Sequence, residues 1–367
     1  MITKVCFFSP HAYPLFNTQC SVEFGGAEVQ LYLLAKELAT DKKYSVHFMV
    51  ADFGQGKIEE FDNVHVYKSF RLRKKFRYFY SVFAAFQLLF ILKRIDADLY
   101  IQRAAGFETF IIAFFCRLFR KKFIYMTASR IECDDRLQKK GFLFSKFHLF
   151  GMKCAYLLLT QGIEDQKLLK KNFFLNSHIL RNSFSLERDA GVIKKEYVLW
   201  VSSCQPLKQP EIFLELATRL PEERFVMILS PHAYHSDLYD RIIKQTEKIP
   251  NIQLVSKVPF HEIDTYYEKA KLFVNTSLYE GFPNSFIQAA KYKTPIISFG
   301  VNPDNFLEEY RCGFSCEFDF EKMVRQIRTL LENEDLRYEM SENILQYVLQ
   351  HHDIKKNIRC LKHLLST

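Results

Sequence analysis

Short segments rich in β-branched and aromatic residues alternate with longer segments of helical periodicity along most of this sequence. Such alternation favours a parallel sheet covered by helices, because parallel strands are joined by crossover connections that usually contain a helix. The sequence therefore predicts an α/β fold. In the first half, strands are expected at 5–9, 45–51, 99–102, 122–126 and 156–160, and helices at 26–39, 79–93, 107–119 and 163–171.

A polar stretch at 181–196 interrupts this pattern, which then restarts. A chain of 367 residues is long enough for two domains that each bury a core. We expect domains of residues 1–190 and 191–367, each a Rossmann-like, doubly wound sheet with ligands at the carboxyl ends of its strands and the two facing a common cleft. In the second half, strands are expected at 197–202, 225–229, 252–255, 272–275 and 295–298, and helices at 209–219, 237–249, 284–291 and throughout 320–365.

Positive charge is concentrated in the first half. Residues 1–190 carry 29 Lys and Arg against 18 Asp and Glu, a net charge of +11, whereas the remaining residues have a net charge of −2. The basic run Arg71-Leu-Arg-Lys-Lys-Phe-Arg77 directly precedes an aromatic and aliphatic segment at 78–92. Cations beside exposed rings are typical of a helix at an anionic membrane surface. The alternative is that 78–92 is a buried helix of the α/β layer and the basic run is a solvated loop.

The same segment argues against two other functions. It has 15 residues, fewer than the roughly 20 that a membrane-spanning helix needs. Its aromatic residues follow the cations in a block instead of interleaving with them, so nucleic acid is not a predicted partner. Nine cysteines without a CxxC pair, and an N-terminus without the order of regions found in a signal peptide, predict a cytoplasmic protein.

The most specific segment is 275–290, in which a strand end leads through a Gly-Phe-Pro turn into a helix. A helix capped by Asn284 or Ser285 would offer backbone N–H groups and the positive end of its dipole to a diphosphate, without a metal. Glu280 precedes the turn and Gln288 lies one helical turn inside, so both could contact one ligand. An ordinary strand-to-helix loop with a good cap is the alternative.

The run Glu280-Gly-Phe-Pro-Asn-Ser-Phe-Ile-Gln288 resembles the E-x7-E loop of the retaining GT-B glycosyltransferases of sequence family four. Three further segments are similar to this family in order and spacing: a glycine-rich loop at 24–30, a strand and Lys-containing loop at 200–211, and a strand and loop beside the base pocket at 251–259. The resemblance implies a GT-B fold and transfer of a sugar, as a hexosyltransferase does, from a nucleotide diphosphate with retention of configuration. It implies no cofactor and no metal.

The resemblance also implies roles for individual residues. Glu280 would contact the donor sugar, and Lys208 would neutralise the leaving diphosphate. Gln288 takes the place of a second glutamate that holds the ribose, and Ser203 stands where the family has an arginine. The other candidate substrate-binding residues are Gly25, Gly26, Arg103, Val258, Gly281, Phe282, Pro283, Asn284 and Ser285.

The first half matches the family less well. The histidine that the family often has near the reacting carbon lacks a counterpart, and Arg103 stands in that region instead. Arg103 could bind the acceptor or a phosphate, or it could be a surface cation at a strand end. Asp96-Ala-Asp98 precedes its strand, so we interpret it as a solvated turn and not as a metal-binding D-x-D motif.

These features predict a transferase that takes a UDP-sugar or GDP-sugar donor and a saccharide acceptor. A lipid-linked acceptor at the inner membrane face, as in capsule, exopolysaccharide or O-antigen synthesis, would suit the basic first half. A catalytically degenerate subunit that only binds the nucleotide sugar is the alternative, because Ser203 removes one expected cation. A sugar-nucleotide epimerase would need more acid and base candidates than the first half offers.

Overall fold

The computed structural model describes residues 2–71, 77–134, 136–137, 141–187, 193–232 and 234–366. Residues 72–76, which make up the greater part of the basic run at 71–77, thus lie outside the described residues. The chain divides into two compact units, one made of Met1–Ser183 with Ile354–Thr367 and one made of Phe184–Asp353. Each unit is built on a mainly parallel sheet covered by helices, so the predicted α/β class is confirmed.

The sheet of the first unit has eight strands among the described residues. Their bounds are β1 (Thr3–Phe8), β2 (Tyr44–Val50), β3 (Ile58–Phe61), β4 (Val64–Lys68), β5 (Leu99–Arg103), β6 (Lys122–Met126), β7 (Leu157–Thr160) and β8 (His178–Ile179). The order is β3-β4-β2-β1-β5-β6-β7-β8, with β3 antiparallel to β4 and the other pairs parallel. The short hairpin of β3 and β4 was not predicted from the sequence.

The helices of the first unit include two that the sequence did not predict. The helices are α1 (Tyr13–Phe16), α2 (Gly26–Ala39), α3 (Arg77–Ile95), α4 (Phe107–Leu118), α5 (Phe142–Cys154) and α6 (Ile163–Phe173), and the unpredicted ones are α1 and α5. The longer of these two, α5, contains Gly151, which weakens the helical pattern. A Cβ atom at Gly151 would lie 2.7 Å from Cγ2 of Thr109, so the glycine lets α5 pack closely on α4.

Helix α3 combines the two interpretations of segment 78–92. Leu88, Leu92 and Ile95 are buried in the core beneath the helix. Phe83 and Phe86 are 60% and 68% exposed on another face. The segment is therefore a layer helix of the α/β fold that also presents aromatic rings to solvent. Within the part of the chain that the structure describes, no helix has both the length and the apolarity to cross a membrane.

The second unit contains a sheet of six parallel strands in the described residues. They are β9 (Tyr197–Ser203), β10 (Phe225–Ser230), β11 (Ile252–Ser256), β12 (Ala270–Asn275), β13 (Ile296–Ser298) and β14 (Gly313–Ser315), in the order β11-β10-β9-β12-β13-β14. The helices are α7 (Pro210–Arg219), α8 (Ser236–Thr246), α9 (Asp264–Lys269), α10 (Asn284–Lys291), α11 (Phe306–Glu309), α12 (Phe320–Glu332) and α13 (Glu334–His351). Strand order reverses between β9 and β12, the point at which α/β sheets bind ligands.

The last helix, α14 (Ile354–Ser366), corrects the expected division at 190/191. The second unit already begins at Phe184, and α14 packs on α2 of the first unit. Lys362 on α14 pairs with Asp41 at 2.8 Å, and the side-chain amide of Asn357 donates to Oγ of Ser183 at 2.7 Å. Helical periodicity shows that α14 has an apolar face, but it does not show which of the two units that face packs against.

A buried polar network lies in the first unit. The hydroxyl of Tyr125 on β6 donates to the carboxylate of Glu132, and Nε2 of His148 lies 2.9 Å from the same hydroxyl. The backbone N–H of Ala128 donates to the other carboxylate oxygen of Glu132 at 3.1 Å. Burial raises the pKa of Glu132 from 4.5 to about 7 and lowers the pKa of His148 to about 4.

We expect Glu132→Gln to change how stability depends on pH. Between pH 4.5 and about 7 folded Glu132 holds a proton that the unfolded chain releases, so this residue makes the wild type less stable as pH rises through that window. Glutamine does not titrate, so the variant does not lose stability in this way. The free energy of unfolding of the variant minus that of the wild type should therefore be larger at pH 8 than at pH 5 by more than about 1 kcal/mol. Urea unfolding at both pH values measures this difference, and Glu37→Gln on α2 serves as the control.

Candidate functional site

The two residues predicted to be catalytic meet at the point where the strand order of the second unit reverses. Lys208 ends a short 3-10 turn, Pro206–Lys208, that follows β9, and Glu280 lies in the loop after β12. Nζ of Lys208 forms an ion pair with Oε1 of Glu280. The two side chains are 17% and 19% exposed, so the pair is mostly withdrawn from water but open on one side.

Hydrogen bonds between the two loops hold this pair in place. The indole N–H of Trp200 on β9 donates to Oγ1 of Thr276 at 2.8 Å, and the Thr276 hydroxyl donates to the carbonyl oxygen of Lys208 at 2.6 Å. The backbone N–H of Leu278 donates to the carbonyl of Leu207 at 3.0 Å. Thr276 is fully buried. It was not predicted as a site residue, although a polar residue directly after a buried strand is a signal that could have identified it.

Ser277 positions the carboxylate of Glu280 directly. Its hydroxyl donates to Oε1 of Glu280 at 2.9 Å, and its own backbone N–H donates to Oδ1 of Asn275 at 3.2 Å. Asn275 and Ser277 are 7% and 2% exposed. Oε1 thus receives both the ammonium and the hydroxyl, while Oε2 has no hydrogen-bond partner among the residues described. The second oxygen is therefore available to a ligand hydroxyl.

The start of α10 differs from the prediction in one respect. The helix begins at Asn284, so its N-cap is Pro283 and not Asn284 or Ser285. Pro283 has an extended ψ of 131° and brings no side-chain oxygen, so the N-cap residue forms no side-chain hydrogen bond to the first turn. A helix start without a side-chain cap is the arrangement in which backbone N–H groups can bind an anion.

The residues around this helix start have different surroundings. The ring of Phe282 is buried, and its centroid lies 4.3 Å from that of His352 and 5.2 Å from that of Phe306. This packing holds the turn against the core of the second unit. Gly281 and Ser285 are partly exposed beside it. Gln288 is 7% exposed on the first turns of α10.

Two predicted residues lie elsewhere along the same edge of the sheet. Ser203 ends β9, and its hydroxyl accepts a hydrogen bond from the side-chain amide of Gln205 at 2.7 Å. Val258 follows β11, which is separated from β9 by β10, and is partly exposed. All of these strands are parallel, so both residues lie at the carboxyl edge with Lys208.

The glycine pair of the first unit has a local structural role. Gly25 is the N-cap of α2, and its backbone N–H donates to Oε2 of Glu28 at 2.9 Å. A Cβ atom at Gly25 would lie 3.0 Å from that oxygen. Gly25 and Gly26 are exposed, so this helix start also presents its backbone to solvent.

Arg103 is not a surface cation, and that alternative is wrong. It ends β5 with only 6% exposure, and Nη2 donates to Oδ1 of Asn182 at 2.6 Å. Burial lowers the pKa of Arg103 to about 10, against the opposing effect of Glu132 and Glu28. Its Nε–H has no hydrogen-bond partner among the described residues. The sequence placed Arg103 at a strand end but could not show that the surrounding loops cover it.

Asp96 and Asp98, the two carboxylates of the Asp-Ala-Asp segment, form contacts within the first unit. Asp96 forms an ion pair with Lys121 at 2.8 Å, and the carboxylate of Asp98 accepts the backbone N–H of Lys4 at 2.8 Å. In the described ranges, no three His, Cys, Asp or Glu side chains form a group that could hold a metal ion.

Residues 185–347 match the family model described as glycosyl transferases group 1. This match covers nearly all of the second unit, Phe184–Asp353, and does not extend to the first. An uncharacterized glycosyltransferase of Haemophilus influenzae is 31% identical over 85 residues, which are 22% of this chain and 24% of the relative. The amylovoran biosynthesis glycosyltransferase AmsD of Erwinia amylovora is 23% identical over 236 residues, 58% of this chain and 64% of the relative. The matches thus span less than two thirds of either relative.

Two solved structures share the fold of this chain over almost the whole length. Sucrose-phosphate synthase from Thermosynechococcus elongatus superposes with a TM-score of 0.81 at 12% identity, covering 99% of this chain and 98% of that one. Anabaena HepE in complex with UDP has a TM-score of 0.74 at 14% identity, covering 99% of this chain and 100% of that one. The predicted GT-B fold is thereby confirmed.

Thr276→Val in the second unit should destabilise the protein by about 1–3 kcal/mol, because it leaves the indole N–H of Trp200 and the carbonyl of Lys208 without a buried partner. Thr276→Ser keeps the hydroxyl and should cost less than half as much. Urea unfolding of the three proteins measures both values. Equal losses in the two variants would mean that the methyl group, and not the hydroxyl, stabilises this loop.

Proposed function

We propose that this protein is a retaining glycosyltransferase that moves a sugar, of the hexose type, from a UDP-sugar or GDP-sugar to a saccharide acceptor. The observation that carries the proposal is the Lys208–Glu280 pair beside the uncapped start of α10, within the segment that matches the group 1 family model. The complex of HepE with UDP, and the similarity to AmsD, an amylovoran biosynthesis glycosyltransferase, support this choice of donor and acceptor class. We assign donor binding to the second unit and acceptor binding to the first.

The proposed chemistry needs only charges that the chain supplies. The bond between the anomeric carbon and the diphosphate oxygen breaks, and the acceptor hydroxyl forms its bond on the same face of the sugar. The hydroxyl proton passes to the departing phosphate oxygen, which agrees with the lack of a predicted base. Lys208 and the N–H groups at the start of α10 stabilise the negative charge that develops, so no metal or cofactor is required.

Donor binding would change the partner of Lys208. Without donor, its ammonium is neutralised by Glu280. In the complex, we expect the ammonium to bind the diphosphate while Oε2 of Glu280 accepts a hydrogen bond from a sugar hydroxyl. Ser277 would keep Oε1 in position during this exchange, because its hydroxyl bond does not depend on Lys208. Gln288 and Val258 would contact the nucleoside, and Gly281 to Ser285 the phosphates and sugar.

We expect Glu280→Gln and Lys208→Met to lower the rate of nucleotide release by at least about 100-fold, since each removes a group that acts on the reacting sugar diphosphate. The assay uses purified protein, a panel of UDP-sugars and GDP-sugars, a saccharide acceptor and no added metal. Glu332→Gln and Lys269→Met, exposed changes of the same type in the second unit, are the matched controls. Turnover near wild type in either site variant would contradict the proposed roles.

A catalytically degenerate binding subunit is the second candidate function. Ser203 favours it, because the hydroxyl there is bonded to Gln205 and adds no positive charge for a leaving diphosphate. Such a subunit would be stabilised against heat by one nucleotide sugar. It would release no nucleotide, even with a lipid-linked saccharide present, whereas the proposed transferase would show both effects.

The first unit favours a lipid-linked acceptor at the cytoplasmic face of a membrane. Phe83, Phe86 and Phe90 are 60%, 68% and 69% exposed and are spaced to share one face of α3. Leu118, near the end of α4, is 62% exposed, and Lys93 lies over the ring of Phe119 at 5.8 Å, where the two helices end. Exposed rings beside cations are the combination that an interfacial helix uses.

The double variant Phe83→Ser/Phe90→Ser should bind vesicles at least about tenfold more weakly than wild type, because each ring contributes apolar area to the interface. Co-sedimentation with vesicles of phosphatidylcholine and phosphatidylglycerol measures the bound fraction. Phe174→Ser is the control, since Phe174 is 89% exposed in the same unit but follows α6. If the double variant and the control bind alike, the α3 face is not the membrane contact.

A further inference from the structure

A cavity of about 320 Å³ lies between α3 and the outer strands of the first sheet. Three cations, Lys57, Lys68 and Arg94, line this cavity. The apolar part of its wall is formed by Phe86, Phe90 and Ile91. We propose that this cavity binds the negatively charged phosphate headgroup of a membrane lipid. The inference rests on the proposed membrane association and is independent of the transfer reaction.

The charges of the cavity favour an anion. Within the described residues, Lys57 and Arg94 form no ion pair. Lys68 donates to the carbonyl of Gln55 at 2.7 Å and lies 3.8 Å from the carboxylate of Asp52, so its charge is partly compensated and its position is fixed. Two cations without a carboxylate partner, beside a third that is held in place, make a site for a phosphate group.

The apolar part of the wall favours a lipid over a free phosphate. Phe86 and Phe90 line the cavity and, at 68% and 69%, are the most exposed rings among the described side chains of α3. A phosphate held by Lys57 and Arg94 would therefore have its glycerol and first methylene groups beside these rings. The rings in turn enter the bilayer boundary when the helix lies on a membrane. Arg94 follows Phe90 by four positions on α3, so cation and ring share one helix face.

The test uses soluble short-chain lipids, which separate headgroup binding from vesicle binding. Isothermal titration calorimetry of the full chain with dihexanoyl phosphatidylglycerol should show binding at least about tenfold tighter than with dihexanoyl phosphatidylcholine, because only the former carries net negative charge. The double variant Lys57→Gln/Arg94→Gln should lose at least about tenfold in this affinity. Lys170→Gln/Lys171→Gln removes the same charge from exposed positions of α6 outside the cavity and should retain it.

Two further measurements distinguish the cavity from the membrane contact. Phe83 is exposed on α3 but does not line the cavity, so Phe83→Ser should weaken vesicle binding and leave binding of the short-chain lipid unchanged. Equal losses in the two double charge variants would overturn the cavity site in favour of general charge attraction. Displacement of the lipid by an equal concentration of inorganic phosphate would overturn the lipid assignment. Vesicle binding without any short-chain lipid binding would leave the membrane contact and reject the cavity.

Discussion

The parallel pairing of β9 with β12 is the constraint on which the candidate site depends. Parallel strands place all their carboxyl ends at one edge, and a reversal of strand order sends the chain to opposite sides at that edge. The loops after β9 and β12 consequently start side by side. Lys208 comes from one of these loops and Glu280 from the other, although they are 72 positions apart in sequence. The fully buried hydroxyl of Thr276 then links the two loops, so their relative position is determined by the core and not by the exposed residues.

A mostly buried ion pair at such a place is costly to maintain. Removing two charges from water costs several kcal/mol per ion, and mutual attraction often only offsets that cost. Two well-packed apolar side chains at these positions would therefore stabilise the fold about as well as the ion pair does. In the proposed function, the carboxylate would neutralise the ammonium until the donor diphosphate replaces it. The hydroxyl of Ser277 would reduce the cost of that replacement, since it would continue to solvate Oε1 of Glu280.

Features that depend on local patterning could be predicted from the sequence. The α/β class, the main strands and helices, and the proximity of Glu280 to a helix start all follow from periodicity and turn residues. Properties that depend on what packs on what could not be predicted. Arg103 is buried and donates to Asn182, 79 positions later, a contact that no local pattern indicates. The cap of α10 lies at Pro283 because helix ends are decided by backbone geometry as much as by side-chain preference. Helix α5 was missed because Gly151, unfavourable for an isolated helix, is needed for contact with Thr109.

The return of α14 to the first unit makes that unit discontinuous in the chain, whereas the second unit is one uninterrupted segment. During synthesis the ribosome therefore releases every residue of the second unit before the helix that completes the first. Until α14 is synthesised, the surface of α2 on which it packs stays exposed to solvent, and Asp41 lacks its ion pair with Lys362. Domains usually fold as units in the order of their synthesis. Here the order is reversed for completion: the first unit begins before the second along the chain, but it is complete only after the whole second unit has been synthesised.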